Sequence, residues 1–233
     1  MKSTFSGDST SGGSLSLENP RLLKANVAAE AAIMAKQGSM VAYRGGARFE
    51  HAKAGVKRIF KRAATGESLS LMKVHGPGEV YLADQAKHVH VIQLEDEAVT
   101  GGGSSVLAFE SGIDWDINRL RGGAAGMLAG GLFNVALRGR GQVAVTSDGN
   151  PLLLRVGPEP VYCDPAAAVL WSDGLQASLH TDVQAKTLIG LGSGESVQLE
   201  LSGSGWVLVQ PSEGIPAQSS GSGAGGWLSG LWS

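Results

Sequence analysis

"HGPGEVYL", His75–Leu82, returns twice in altered form, as "RGRGQVAV" at Arg138–Val145 and "SGSGWVLV" at Ser202–Val209. Each copy carries Gly-x-Gly, a variable residue, Val, a second variable residue, then Leu or Val. The leading glycines stand at 76, 139 and 203, so the steps are 63 and 64 residues. Apolar residues alternate on both sides of the glycines: Met72 and Val74, Val135 and Leu137, Leu199 and Leu201 before them. Val80 and Leu82, Val143 and Val145, Val207 and Val209 follow. Period two on each side predicts a pair of strands with one buried face. Read as a hairpin, the glycine pair forms the loop, with the left-handed residue last, at Gly78, Gly141 and Gly205. Pro77 suits that turn poorly. A phosphate loop is disfavoured, because its glycines should join a strand to a helix.

A second strand repeats upstream as "MVAY" (Met40–Tyr43), "VLAF" (Val106–Phe109) and "AVLW" (Ala168–Trp171), each ending in an aromatic. Before these come "RLLKANV" from Arg21, "VHVIQL" from Val89 and "LLLRVG" from Leu152. The chain is thus divided into units of about 63 residues, at 21–87, 88–150 and 151–213. Units of this kind bury their faces against one another. The expectation is an all-β single domain at 17–214, made of three similar antiparallel β modules arranged with pseudo-threefold symmetry. A Ser/Gly-rich disordered lead occupies 1–16, a flexible linker 215–226 and a Trp/Leu-rich motif 227–233.

A chain of 233 residues with net charge −2 and pI ≈ 6.2 argues against non-specific nucleic-acid binding. The single cysteine, Cys163, excludes an intramolecular disulfide framework and suits a reducing compartment. No N-terminal targeting pattern and no spanning apolar run are read, so the expected place is the cytoplasm, peripheral to the inner face of a membrane.

"KQGSMVAYRGGARFE", "TGESLSLMKVHGPGEVYLAD", "AGGLFNVALRGRGQVAVTSDG" and "SGESVQLELSGSGWVLVQPSEG" resemble the altered inheritance of mitochondria protein 24 family. The resemblance runs from about Pro20 to Gly214. It implies an all-β fold of the tryptophan RNA-binding attenuator-like class, a β-sandwich of three similar modules. The family's mitochondrial branch is associated with inner-membrane organisation. No catalytic residues belong to its pattern, so none is carried over and no cofactor is implied. The attenuator protein binds tryptophan and RNA as a ring, a likeness of fold that does not transmit function.

Function is therefore sought where the repeats differ. Between the aromatic strand and the glycines, the first unit inserts "HAKAGVKRIFKRAATGES". Val56, Ile59 and Phe60 fall on one helical arc, and Lys57, Arg58, Lys61 and Arg62 lie off it, a pattern suited to anionic lipid or to packing on the protein's own sheet. The second and third units insert the glycine-rich stretches "RLRGGAAGMLAGGLFN" and "TDVQAKTLIGLGSGES", which suit an interface between subunits. In the tail, Trp227, Leu228, Leu231 and Trp232 would share one face of a helix and could dock on a protein partner, a neighbouring subunit or a membrane interface.

Polar constellations are weaker. His88 and His90 alternate on a strand with His75 near the glycines, but nothing in their spacing makes three nitrogens converge on a metal. Asp114 and Asp116 read as loop carboxylates, and no nucleophile–base set stands out. The expected function is a non-enzymatic, homo-oligomeric β-scaffold that recruits a protein partner or contacts an anionic membrane. The alternative is a small-ligand or RNA-binding module.

Overall fold

Alternating apolar residues become strands along the whole described chain. The computed structural model describes residues 13–51, 70–119, 133–180 and 198–212. The first repeat holds β1 (Leu15–Asn19), β2 (Leu22–Val27), β3 (Ile33–Lys36), β4 (Met40–Gly45), β5 (Arg48–His51), β6 (Leu71–His75) and β7 (Gly78–Leu82). The second holds β8 (His88–Gly102), β9 (Val106–Glu110), β10 (Asp114–Arg119) and β11 (Phe133–Ser147). The third holds β12 (Leu152–Val156), β13 (Val161–Cys163), β14 (Ala168–Ser172), β15 (Leu175–His180), β16 (Gln198–Gly203) and β17 (Gly205–Val209). The expected all-β fold is what forms, and no helix occurs among the described residues.

The Gly-x-Gly hairpin does not form. β6 and β7, the strands it should join, lie in different sheets: β6 pairs β3 and β5, while β7 pairs β2 and β4. β16 and β17 part in the same way. In the second repeat the glycines lie inside one continuous strand, β11, whose ladder with β8 slips at Gly139/Arg140. Gly-x-Gly is thus a corner at which a strand leaves one sheet for another, a use of bends known from sandwich corners. Apolar residues match across it because both strands face the same core.

The conformational need also falls on the other glycine. Gly76, Gly139 and Gly203 all have positive φ (89°, 119° and 117°). Of the trailing glycines Gly141 shares that positive φ (147°), and all three serve close approach. A Cβ on Gly78 would lie 2.5 Å from the Arg44 carbonyl oxygen, and one on Gly205 2.1 Å from Ser172 Oγ.

Around each corner the same pairings recur. β2, the first half of β8, and β12 pair with β7, the second half of β11, and β17. The latter three pair on their other side with the aromatic strands β4, β9 and β14. Strands β3, the second half of β8, and β13 pair with β6, the first half of β11, and β16. Two joints link successive repeats: β3 to β9 (Met34 opposite Phe109) and β8 to β14 (Thr100 opposite Trp171). A closed threefold ring of pairings would need a third joint, between β13 and β4. The sheet orders do not contain it: β4 ends a four-stranded sheet, and β13 ends a three-stranded one.

The joints lace the middle of the chain into a ten-stranded sheet. Buried side chains fall into three clusters, built largely on the first, second and third repeats. Neighbouring repeats share them. Ala108 and Ala144 of the second repeat pack in the first cluster, and Leu170 and Leu208 of the third pack in the second. β1 begins at Leu15, inside the stretch read as a disordered lead. Its start is fixed by Leu15 N–H donating to Gln142 Oε1 (2.8 Å), and by Ser14 N–H and Oγ donating to Glu110 Oε1.

Candidate functional site

The aromatic strand shows one sequence pattern in two environments. In β9 and β14 it is buried, with Phe109 0% and Trp171 3% exposed. In β4 all six residues are exposed, Val41 at 62% and Tyr43 at 51%. What differs is the outer neighbour: β3 flanks β9 and β8 flanks β14, whereas β4 has only β7 among the described strands. Tyr43 rests edge-on against Phe49, ring centroids 5.2 Å apart. Met40, at the start of β4, is exposed as well. In the third repeat, Leu152 and Leu153 on β12 and Tyr162 on β13 are the other large exposed hydrophobic side chains among the described residues. Both strands end their sheets.

The face behind β4 is charged. Lys24 Nζ donates to Glu79 Oε1 at 2.9 Å, the Arg44 guanidinium pairs with Glu79 Oε2, and Tyr81 Oη donates to that oxygen at 3.2 Å. The Arg44 and Lys24 hydrogen bonds hold the Glu79 carboxyl down at about 2. The equivalent pair to Lys24 and Tyr81 is Val91 and Ala144 in the second repeat, and Leu153 and Leu208 in the third. Only the first repeat carries charge there.

Against this geometry the family profile described as "Mitochondrial biogenesis AIM24" matches residues 15–212. The chain belongs to the AIM24 family. The match spans all three repeats, and it agrees with the resemblance carried by the sequence motifs. Among solved structures, this AIM24 chain is similar to the crystal structure of protein SPYM3_0169 from Streptococcus pyogenes. The TM-score is 0.67 with 21% identity, covering 84% of this chain and 91% of that one, a likeness of fold. Comparison with curated proteins gives no match.

Neither sequence-predicted contact of the AIM24 chain falls within the described structure. Val56, Lys57, Arg58, Ile59, Phe60, Lys61 and Arg62 lie in 52–69, and Trp227, Leu228, Leu231 and Trp232 lie beyond 212; both stretches are outside the described residues. The described part instead reveals Met40, Val41 and Tyr43, which sequence reading passed over. Their alternation marks them as core, as it does in the other two repeats. Nothing in the pattern of the strand itself separates it from the two buried copies.

The histidines do not converge. His75 Nε2 meets Glu50 Oε1 (2.9 Å), His88 Nδ1 meets Asn150 Oδ1 (2.7 Å) and His90 Nε2 meets Ser147 Oγ (2.7 Å). Burial, with a smaller contribution from His88, lowers the His90 pKa. Among the described residues no His, Cys, Asp and Glu group could hold a metal ion. Asp114 and Asp116 lie on strand β10 rather than in a loop. Each accepts from the next backbone N–H, of Trp115 (3.0 Å) and Ile117 (2.8 Å).

Cys163 is half-buried against the third cluster, and burial, then the Asp164 charge, pushes its thiol up to about 11. At pH 8 the folded thiol should therefore alkylate with iodoacetamide about 100-fold more slowly than in urea, since only the thiolate reacts. Equal rates would show that the site is open. Because the unfolded thiol ionises first, stability from this group is complete below about pH 9 and lost as pH rises through about 11.

Proposed function

We propose that this chain is a non-enzymatic, self-associating β-scaffold whose assembled form recruits a protein partner or rests on an anionic membrane. The exposure of β4 carries the reading: an apolar edge strand left in water invites pairing, and proteins ordinarily blunt such edges or cover them. The chemistry visible elsewhere supports a structural role. Lys36 meets Asp84 and Arg140 meets Asp96, as Lys24 and Arg44 meet Glu79. Those cations are spent on carboxylates and not offered to phosphates, which favours the scaffold over the alternative, an RNA-binding or small-ligand module. The basic insertion at 56–62 and the tail at 227–232 are the elements proposed to contact membrane or partner, at the inner face of a membrane and from the cytoplasmic side. Among the described residues no helix is long and apolar enough to cross a membrane.

Sedimentation velocity across micromolar concentrations tests the reading. Concentration-dependent association is expected, and a strict monomer overturns it. Deleting Gly226–Ser233 should leave association intact and abolish partner capture or membrane recruitment if the tail is the contact.

A further inference from the structure

We infer that β13 of one copy of this chain pairs with β4 of a second copy, supplying between molecules the joint missing within the chain; this rests on the self-association proposed above. The occupant of the β4 edge is identified by the two joints that do form. In each, the aromatic strand of one repeat is flanked by the second-position strand of the repeat before it: β3 on β9, and β8 on β14. β4 is the aromatic strand of the first repeat, and β13 is the second-position strand of the last. The chain's own β13 does not cover β4, whose six residues are all exposed.

The internal joints also set the register. Met34 stands opposite Phe109, and Thr100 opposite Trp171. On their other side Met34 and Thr100 stand opposite Lys73 and Ala136, each three residues before a leading glycine. The residue so placed on β13 is Tyr162, opposite Glu200. Tyr162 should therefore meet Tyr43 of the next copy, with Val161 opposite Arg44 and Cys163 opposite Ala42.

Side-chain directions agree with that pairing. Ile33 and Ala35 pack in their own repeat's cluster, while Met34, between them, packs on the next repeat's cluster beside Phe109. Val161 and Cys163 likewise pack on the third cluster. Tyr162, 48% exposed, projects where Met34 does, and against Tyr43 it would take the part Met34 takes against Phe109. The Lys24–Glu79–Arg44 face makes this joint wetter than the internal ones, so it should be reversible. Each copy offers one β4 and one β13, which gives head-to-tail growth into a ring or filament.

Cross-linking the full chain tests the joint. One variant is Ala42→Cys, opposite the native Cys163. Another combines Tyr43→Cys and Tyr162→Cys with Cys163→Ser. Adjacent cross-strand pairs alternate between about 4.5 and 5.5 Å in Cα separation, both within disulfide reach. Copper-phenanthroline should link two or more copies, reversibly by reductant, in at least one variant. Tyr43→Lys should weaken association about tenfold or more, by placing a charge in the joint, with Tm unchanged in protein too dilute to associate. A disulfide within one chain would overturn the inference in favour of closure on itself. No linkage in either variant, or unchanged association of Tyr43→Lys, in a protein that still associates would place self-association on another surface. A monomeric parent would remove the scaffold reading as well.

Discussion

Phe109→Ala should destabilise the protein by about 3–5 kcal/mol, whereas Tyr43→Ala, at the equivalent position one repeat earlier, should cost about 1 kcal/mol or less. Phe109 is fully buried, with its ring 6.2 Å from Trp115 and Met34 packed on the same cluster. Removing the ring leaves a cavity that strands held on both sides by hydrogen bonds cannot close. Tyr43 loses one edge contact with Phe49 and water-exposed area. The difference should appear in urea melts as a shifted midpoint for Phe109→Ala alone, at unchanged slope. Equal losses would mean that Tyr43 is already covered in solution. Run from dilute to concentrated protein, the comparison gains a second readout: if copies pair through β4, the cost of Tyr43→Ala should grow with concentration.

Among the three leading glycines, alanine should be worst at Gly76, intermediate at Gly203 and mildest at Gly139. All three have positive φ, so each alanine carries strain of about 1–3 kcal/mol. They differ in the space for a Cβ. At Gly76 it would sit 2.6 Å from the Gly46 carbonyl oxygen, at Gly203 3.1 Å from that of Gly174, and at Gly139 4.0 Å from that of Gly112. The Gly76 neighbour is backbone and cannot swing aside, so steric cost adds to strain and the total should reach about 3–5 kcal/mol. Thermal melts of the three variants check the order. A ranking led by Gly139 would show that the corner in β11, not the one between β6 and β7, is the tighter.

Those corners also mark how far sequence reading reaches. The triplication, the all-β class, the strand alternation and the family were legible at once, because side-chain period and repeat spacing are properties of the chain alone. Which strands pair was not. A hairpin and a corner both need an apolar residue on each side of Gly-x-Gly and a glycine in the middle. Val74 and Val80 match equally well as cross-strand neighbours or as partners across a core. The choice rests on β3 and β5 competing for β6, and β2 and β4 for β7, from far along the chain. Exposure was hidden for the same reason. "MVAY" and "VLAF" share a pattern that calls for burial, and what buries Phe109 is the strand that the preceding repeat lays beside it. The amino-acid sequence by itself determined the repeated unit and the alternation of apolar residues along its strands. Only the tertiary structure decided that the repeats join edge to edge and leave β4 without a flanking repeat, because a joint is made by the neighbour's backbone and not by the strand's own residues.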